Sequence, residues 1–260
     1  MFTMLTMAEA LKRIVHAFDL LCENPRGLSV TELADKMGTS KSTSSRLLAS
    51  LVEAGLVERD DAQRHFLDVR FWTWGVQAAR RLAVLDIARP HIAVAVKECD
   101  NPAYIAVVRG DQTIYLESLT PSSKGEAMFN VVSYAVPVYA CAPGKAILAF
   151  SAEEVRESVL RGPLRKFTPR TLATREDLSR EIETIREQGY AVNRGEYYDN
   201  AHYAAAVPIL AQDGLPVAAV CFYGFRDEES LLKLVPRLLE LGRVISSSLG
   251  YNRQVSQFVG

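Results

Sequence analysis

The stretch SVTELADKMGTSKSTSSRLLASL, Ser29 to Leu51, decides the fold of the N-terminal part of this chain. Ser29 with Glu32 three residues on is a capping box, in which each side chain bonds the other's backbone N–H. Val30, Leu33, Ala34 and Met37 then form the apolar stripe of a short helix. Gly38 suits the left-handed residue that ends it. Thr39 or Ser40 caps the next helix, and Gly55 closes it. On that second helix Leu47, Leu48, Leu51 and Val52 share one side, with Ser44 between them. Ser42, Ser45, Arg46 and Ala49 point the opposite way. Two short helices joined by so tight a turn predict a helix-turn-helix.

The outer face of the second helix is unusual for a solvated surface, which carries mixed charges or Glu/Lys pairs. It holds small hydroxyls, one Ala, Lys41 and Arg46, and no acid occurs between Asp35 and Glu53. Small side chains let a helix enter a major groove about 12 Å wide. Thr39, Ser40, Ser42, Thr43 and Ser45 offer hydroxyls to phosphates or bases. Lys41 can neutralise a phosphate, and Arg46 can reach a guanine edge or a phosphate. The plain alternative is a Ser-rich solvated helix.

Outward from this stretch, Met7 to Leu21 reads as a helix with Leu11, Ile14, Val15, Phe18 and Leu21 at three- and four-residue steps. On the other side, Leu56 to Arg59, the turn Asp60-Asp61-Ala62-Gln63 and Arg64 to Leu67 predict a hairpin. A hairpin directly after a recognition helix is a wing. Arg59, Arg64 and His65 can touch phosphates or a minor groove there, or belong to a solvated hairpin tip. Val69 to Arg81 reads as helix, with Phe71, Trp72 and Trp74 packing between subunits or within their own domain. A further helix is expected over Asp86 to Glu98, with Pro90 in its first turn.

The chain has 260 residues, 48% hydrophobic and 23% charged, which suits two domains. The net charge is −1, and residues 1–67 hold 8 Lys and Arg against 9 Asp and Glu. That balance argues against a sequence-blind, architectural DNA binder working through bulk positive charge. Cys22, Cys99, Cys141 and Cys221 are far apart with no CxxC, so no zinc cluster or disulfide framework is indicated. This usage fits a reducing cytoplasm. MFTMLTMAEALKR lacks the pattern of a signal peptide, and no run of about 18 apolar residues predicts a membrane span. No metal or cofactor is expected.

From Pro102 the period changes to strands. AYIAVVRG and QTIYLESL flank the hairpin signal Gly110-Asp111. AMFNVV and AVPVYAC follow as strands. Pro143-Gly144 leads into the helix KAILAF, and Ser151 with Glu154 is expected to cap another. Thr174 with Asp177 opens a helix that Gly189 ends. YAVNRG, HYAAAVPIL and LPVAAVCFYGF read as strands, the last two joined at Gln212-Asp213-Gly214. A final helix is expected to begin at Pro236. Mixed strands and helices with hairpin links indicate an α+β domain, a sheet covered by helices.

Two tempting chemistries fail. Gly144-Lys145 lacks the earlier Gly and the following Ser or Thr of a phosphate loop, where this chain has Tyr139 and Ala146. Cys141 with His202 could form a nucleophile and base, but nothing in the sequence joins them or supplies an orienting acid. No catalytic residues are assigned. An enzyme acting on a small organic acid with an appended DNA-binding domain stands as the alternative reading, and it needs a paired acid and base.

The helix-turn-helix with TSKSTSSRLLASLVEAGLV, then PVYACAPGKAILAF, LATREDLSREIETIREQGYAV and AAAVPIL before a Gly turn, resembles the IclR family of bacterial transcriptional regulators. The blocks come in the family's order over nearly the whole chain. The resemblance implies an N-terminal winged helix-turn-helix, a helical linker and a C-terminal GAF-like mixed α/β ligand domain. It implies a homodimer through the N-terminal half, or a homotetramer, and small organic acids as ligands, many of them from aromatic or carbohydrate catabolism. By family position the ligand is lined by Tyr139, Ala140 and Cys141, by Arg194 and Glu196, by Tyr203 and Ala204, and by Cys221 and Tyr223. For the tyrosines and cysteines the alternative is core packing. Arg194 offers a carboxylate a planar fork of donors, or is a solvated strand end. The chain departs from the family pattern at His65 and Asp68 in the wing, at Ser133-Tyr134-Ala135, at Tyr139 and Cys141, and at Ala201-His202 and Ala204.

The expected organisation is therefore a DNA-binding domain over 1–68, a helical linker over 69–85 and a ligand-binding, oligomerising domain over 86–260. The expected partners are a double-stranded DNA operator and a small organic acid, with no membrane.

Overall fold

A computed structural model of the protein describes residues 7–79, 82–121, 129–131, 135–197 and 203–251. The chain divides between Leu82 and Ala83 into two compact units. The helical segment expected as a separate linker is thus split between them.

The N-terminal unit holds α1 (Met7–Glu23), α2 (Val30–Met37), α3 (Lys41–Glu53), the hairpin β1 (Val57–Arg59) and β2 (His65–Leu67), and α4 (Arg70–Ala79). The Ser29–Glu32 capping box is formed. Gly38 and Gly55 take left-handed conformations, φ 62° and 66°. Thr39 N donates to Ala34 O, and Leu56 N to Leu51 O, so the same closing motif ends α2 and α3. Ser40, rather than Thr39, caps α3. The Thr39 hydroxyl instead bonds Ser44 Oγ at 2.8 Å, which satisfies a serine only 1% exposed among leucines. Helices of 8 and 13 residues are marginal alone. What holds them is the core of Ala17, Leu21, Leu28, Leu33, Leu48, Leu51 and Val57.

Two expectations of that stripe change. Val52 is 38% exposed at the edge of the packed side of α3. On α1 the apolar residues separate into two rows. Ile14, Ala17, Phe18 and Leu21 face the core, whereas Leu11 and Val15, with Met7, are more than half exposed.

The C-terminal unit holds α5 (Ala83–Cys99), β3 (Ala103–Arg109), β4 (Gln112–Leu119), β5 (Phe129–Val131), β6 (Ala135–Pro137), α6 (Ala142–Phe150), α7 (Glu153–Arg161), α8 (Arg175–Gln188), β7 (Ala191–Asn193), β8 (Tyr203–Leu210), β9 (Pro216–Phe225) and α9 (Glu228–Ser248). Its antiparallel sheet has the order β5-β4-β3-β9-β8-β7, with β6 also paired to β4. Helix α6 lies on β8, β9, β3 and β7, and α8 packs on α6. Helices α5 and α9 pair with each other and contact the sheet through other strand residues. Along β8, Ala206 faces the α6 cluster and Val207 meets Gly242 of α9, as strand alternation requires. This is the α+β architecture expected.

Both proline expectations are corrected. Helix α5 begins at Ala83 and α9 at Glu228, so Pro90 and Pro236 lie inside their helices. Each frees one carbonyl, four residues earlier, at Asp86 or Leu232. Asp86, Leu232 and both prolines are exposed, so water can take the place of the missing N–H. Ser151 does not cap α7. It ends α6, where its hydroxyl bonds Ile147 O, and Ala152 precedes α7 without a side-chain cap. The strand expected through Cys141 stops at Pro137. Val138–Ala140 form a 3-10 turn, drawn in as Val138 N bonds Asp111 O.

Candidate DNA-reading face and ligand site

On α3, Lys41, Ser42, Ser45, Arg46 and Ala49 are exposed together. Arg46 Nε donates to Ser42 O at 3.3 Å, leaving its terminal nitrogens outward. Ser40 Oγ bonds Ser42 Oγ at 3.0 Å and Thr43 Oγ1 at 2.9 Å, so these hydroxyls form one local network at the start of the helix. Arg59 borders a groove of about 320 Å³ between α3 and the hairpin, lined by Val30, Ser45, Ala49 and Val52 among others.

Arg64 and His65 have structural partners instead. Arg64 Nε donates to Arg26 O and its Nη2 to Gly27 O, each at 2.7 Å, and Nη2 pairs with Glu32 at 3.1 Å. The same Glu32 closes the capping box, and Ser29 chiefly holds its carboxyl below the usual carboxylate range. His65 is 4% exposed. Its backbone exchanges two hydrogen bonds with Leu28, and Nδ1 lies 3.2 Å from Leu28 O. Burial lowers its pKa, a shift that the Leu28 carbonyl opposes. The two residues tie the hairpin to the turn before α2.

In the C-terminal unit, Tyr139, Ala140 and Cys141 end the 3-10 turn and enter the buried cluster between α6 and the sheet. Tyr139 is buried, which raises its pKa, and its hydroxyl donates to Arg165 O at 3.1 Å. Cys141 Sγ donates to Thr113 Oγ1 at 3.4 Å. Burial pushes the thiols of Cys141 and Cys221 up, so neither is a ready nucleophile. Cys221 pairs with Ala206, and Tyr223 with Ala204, across β8 and β9. Tyr223 stacks on Tyr104 at 3.7 Å, and Tyr104 meets the edge of Tyr115 at 5.2 Å. Phe167 lies 4.7 Å from Tyr197 and 6.4 Å from Tyr139. The sheet therefore brings Tyr139, Ala140, Cys141, Ala204, Cys221 and Tyr223 into one cluster. Alternation along β8 sends Tyr203 to the other face.

Arg194 is 44% exposed and forks onto Glu228, with Nη2–Oε1 at 2.5 Å and Nε–Oε1 at 3.1 Å. Its guanidinium is occupied. Glu196 is 3% exposed and sits on Lys145, which is fully buried. The Lys145 ammonium donates to Glu181 at 2.8 Å, Val192 O at 2.8 Å and Glu196 at 2.9 Å, using all three protons. Gly144 beside it has a packing reason: an added Cβ would lie 2.3 Å from both Thr113 Oγ1 and Val138 O. The Gly-Lys pair is thus a close helix–strand contact followed by a buried cation.

The sequence reading missed Lys145, Glu181, Thr113, Tyr104, Tyr115, Phe167 and Tyr197 in this region. Strand alternation carried a signal for Tyr104, which shares a face of β3 with Ala106. Nothing local marks Lys145 as buried. His202, Ser133, Tyr134 and Ala201 lie outside the described residues. Among the described residues no group of three or more His, Cys, Asp or Glu is placed to hold a metal. No described helix is long and apolar enough to cross a membrane.

Known proteins match most of the chain. The IclR helix-turn-helix domain matches residues 10–61, and the C-terminal domain of the bacterial transcriptional regulator IclR matches residues 76–246. XynR, an HTH-type transcriptional regulator of Escherichia coli strain K12, is 25% identical over 248 residues, covering 94% of this chain and 98% of XynR. KipR, an HTH-type transcriptional regulator of Bacillus subtilis strain 168, is 26% identical over 230 residues, 86% of this chain and 90% of its own. The crystal structure of an IclR transcriptional regulator from Alicyclobacillus acidocaldarius is 26% identical with a TM-score of 0.73, covering 91% of this chain and 97% of that one. An IclR homologue from Microbacterium hydrocarbonoxydans, complexed with 4-hydroxybenzoate, shares the fold at 24% identity and a TM-score of 0.71, over 94% of this chain and 99% of that one. The relatives are named as regulators and not as enzymes. This chain belongs to the IclR family of bacterial transcriptional regulators.

Proposed function

We propose that this regulator reads a two-fold DNA operator as a homodimer, and that a small organic acid bound in its C-terminal unit changes that binding. The observation that carries the DNA half is the outer face of α3, where Lys41, Ser42, Ser45 and Arg46 stand exposed and the one acid, Glu53, lies at the helix's last residue, in the groove that Arg59 of the hairpin borders. Charge and small hydroxyls on one helix face suit phosphates and base edges. Arg64 and His65 are left out of the contact set because their polar atoms are used within the fold. The row Met7, Leu11 and Val15, one step per helical turn and more than half exposed, supports pairing of two copies through α1.

The ligand half is supported by the aromatic cluster around Tyr104, Tyr139, Tyr223 and Cys141. Arg194, paired with Glu228, is not its carboxylate anchor. Tyrosine rings over an apolar floor suit a compact, partly apolar acid. A ligand that favours one arrangement of the dimer shifts the DNA-competent population.

The test is selection of duplexes from a random pool, followed by titration with a panel of aromatic and aliphatic acids. 4-Hydroxybenzoate belongs in the panel because an IclR homologue is complexed with it. The expected result is a two-fold motif with half-sites about one DNA turn, or a multiple, apart, and a changed affinity with at least one acid. A pool without any enriched motif overturns the DNA half. A motif whose binding no acid alters overturns the ligand half.

A further inference from the structure

Glu196 Oε2 is the one buried side-chain oxygen left without a hydrogen-bond partner among the described residues. Such atoms are rare in folded proteins, and each needs an explanation. Here the surroundings sharpen the question. Glu196 Oε1 accepts from Lys145, whose other two protons go to Glu181 and Val192 O. One buried cation therefore faces two carboxylates, an excess of one negative charge. Arg194 feels both carboxylates but is forked onto Glu228, so it brings no spare positive charge.

Glu196 is also held firmly. Its N–H donates to Asn193 Oδ1, and its carbonyl accepts from the Thr171 hydroxyl. Thr168 bonds Gly195 O at 2.8 Å. These bonds fix the backbone at Glu196, and the carboxylate itself is held by Lys145. The cluster adjoins the aromatic one. Lys145 is one helical turn beyond Cys141 on α6 and its charge reaches that thiol, while Tyr197, next in the chain, packs on Phe167.

We propose that the ligand of the C-terminal unit carries a hydrogen-bond donor, a hydroxyl or an amine, and presents it to Glu196 Oε2 from the aromatic side. The inference rests on reading that cluster as the ligand site, and it adds the polarity of one end of the ligand. The excess negative charge repels a carboxylate, so the acid group lies at the far end of the molecule and the donor at this one. A ligand lacking the donor leaves the oxygen as it stands and gains nothing from it.

The experiment is calorimetric titration of the full-length protein with matched probes: 4-hydroxybenzoate, 4-aminobenzoate, benzoate and 4-methoxybenzoate, with 4-hydroxybutanoate and butanoate as an aliphatic pair. A hydrogen bond to a charged group predicts that the donor-bearing probe binds at least about tenfold more tightly than its partner without a donor. Glu196→Gln removes the excess charge and leaves Lys145 paired with Glu181, so the fold is retained. In that variant the preference is expected to fall below about threefold, while benzoate affinity holds. Glu196→Asp, which keeps the charge and shortens the reach, should weaken the preference too, and it serves if the glutamine variant fails to fold. Equal binding of donor and non-donor probes by the wild-type protein overturns the inference and leaves the ligand site standing. An undiminished preference in both variants does the same. If no probe binds the wild-type protein, the reading of the cluster as an acid site fails, and this inference fails with it.

Discussion

Replacing Lys145 by Met is the sharpest test of what holds the C-terminal unit together. The ammonium is fully buried and makes three hydrogen bonds of 2.8–2.9 Å, to Glu181, Val192 O and Glu196. Methionine is unbranched and close to lysine in volume, though one atom shorter, so little cavity results. The loss is electrostatic. Glu196, 5% exposed at its side chain, is left buried without its cation, whereas Glu181 at 21% can still reach water. Breaking a buried pair by removing one partner costs about 3–5 kcal/mol. For a unit of this size that is a fall in melting temperature of about 6–20 °C. The assay is thermal unfolding of the full-length protein by calorimetry, following the transition of the C-terminal unit. Lys145→Met combined with Glu196→Gln removes both charges and should regain at least about 2 kcal/mol of the loss, because the orphaned carboxylate is its larger part. A single-variant loss under about 1 kcal/mol, or a double variant no better than the single one, refutes the argument that this cation is held by charge rather than by packing.

Three further outcomes are expected. Arg46→Ala should weaken operator binding by about 1–3 kcal/mol per half-site if its terminal nitrogens read a base edge, with melting unchanged; gel-shift titration against operator and random DNA checks this. Leu11→Asp should shift the protein from dimer toward monomer in sedimentation, since it places a charge in the exposed row of α1, and it should weaken operator binding along with dimerisation. His65 is buried with a lowered pKa, so the unfolded chain takes up its proton more readily. Its contribution to stability is then present above the unfolded value of about 6.5 and lost as pH falls through the lower folded value. His65→Tyr should flatten the pH dependence of the N-terminal unit's stability below about pH 6.5, and an unchanged slope refutes the assignment.

What the sequence by itself determined is the set of features whose physics is local. The Ser29–Glu32 box, the left-handed Gly38 and Gly55, the inward Leu48 and Leu51 and the outward Ser42, Ser45 and Arg46 all depend on residues within a turn or two. They were legible for that reason, as was the resemblance, which is a matter of order along the chain. Tertiary structure decided the rest. Pro90 and Pro236 read as helix starts because proline removes a donor, yet both are tolerated inside helices where the freed carbonyl lies on the exposed side. Arg64, Arg194 and His65 are polar residues that sequence offers to a ligand. Their partners, Arg26 and Gly27, Glu228, and Leu28, lie more than thirty residues away. Lys145 carries no mark of burial along the chain, because its three acceptors come from α8, β7 and the loop after β7. The identity of a charged side chain is local, but whether it meets solvent, a partner or a ligand depends on which distant segments the fold sets against it.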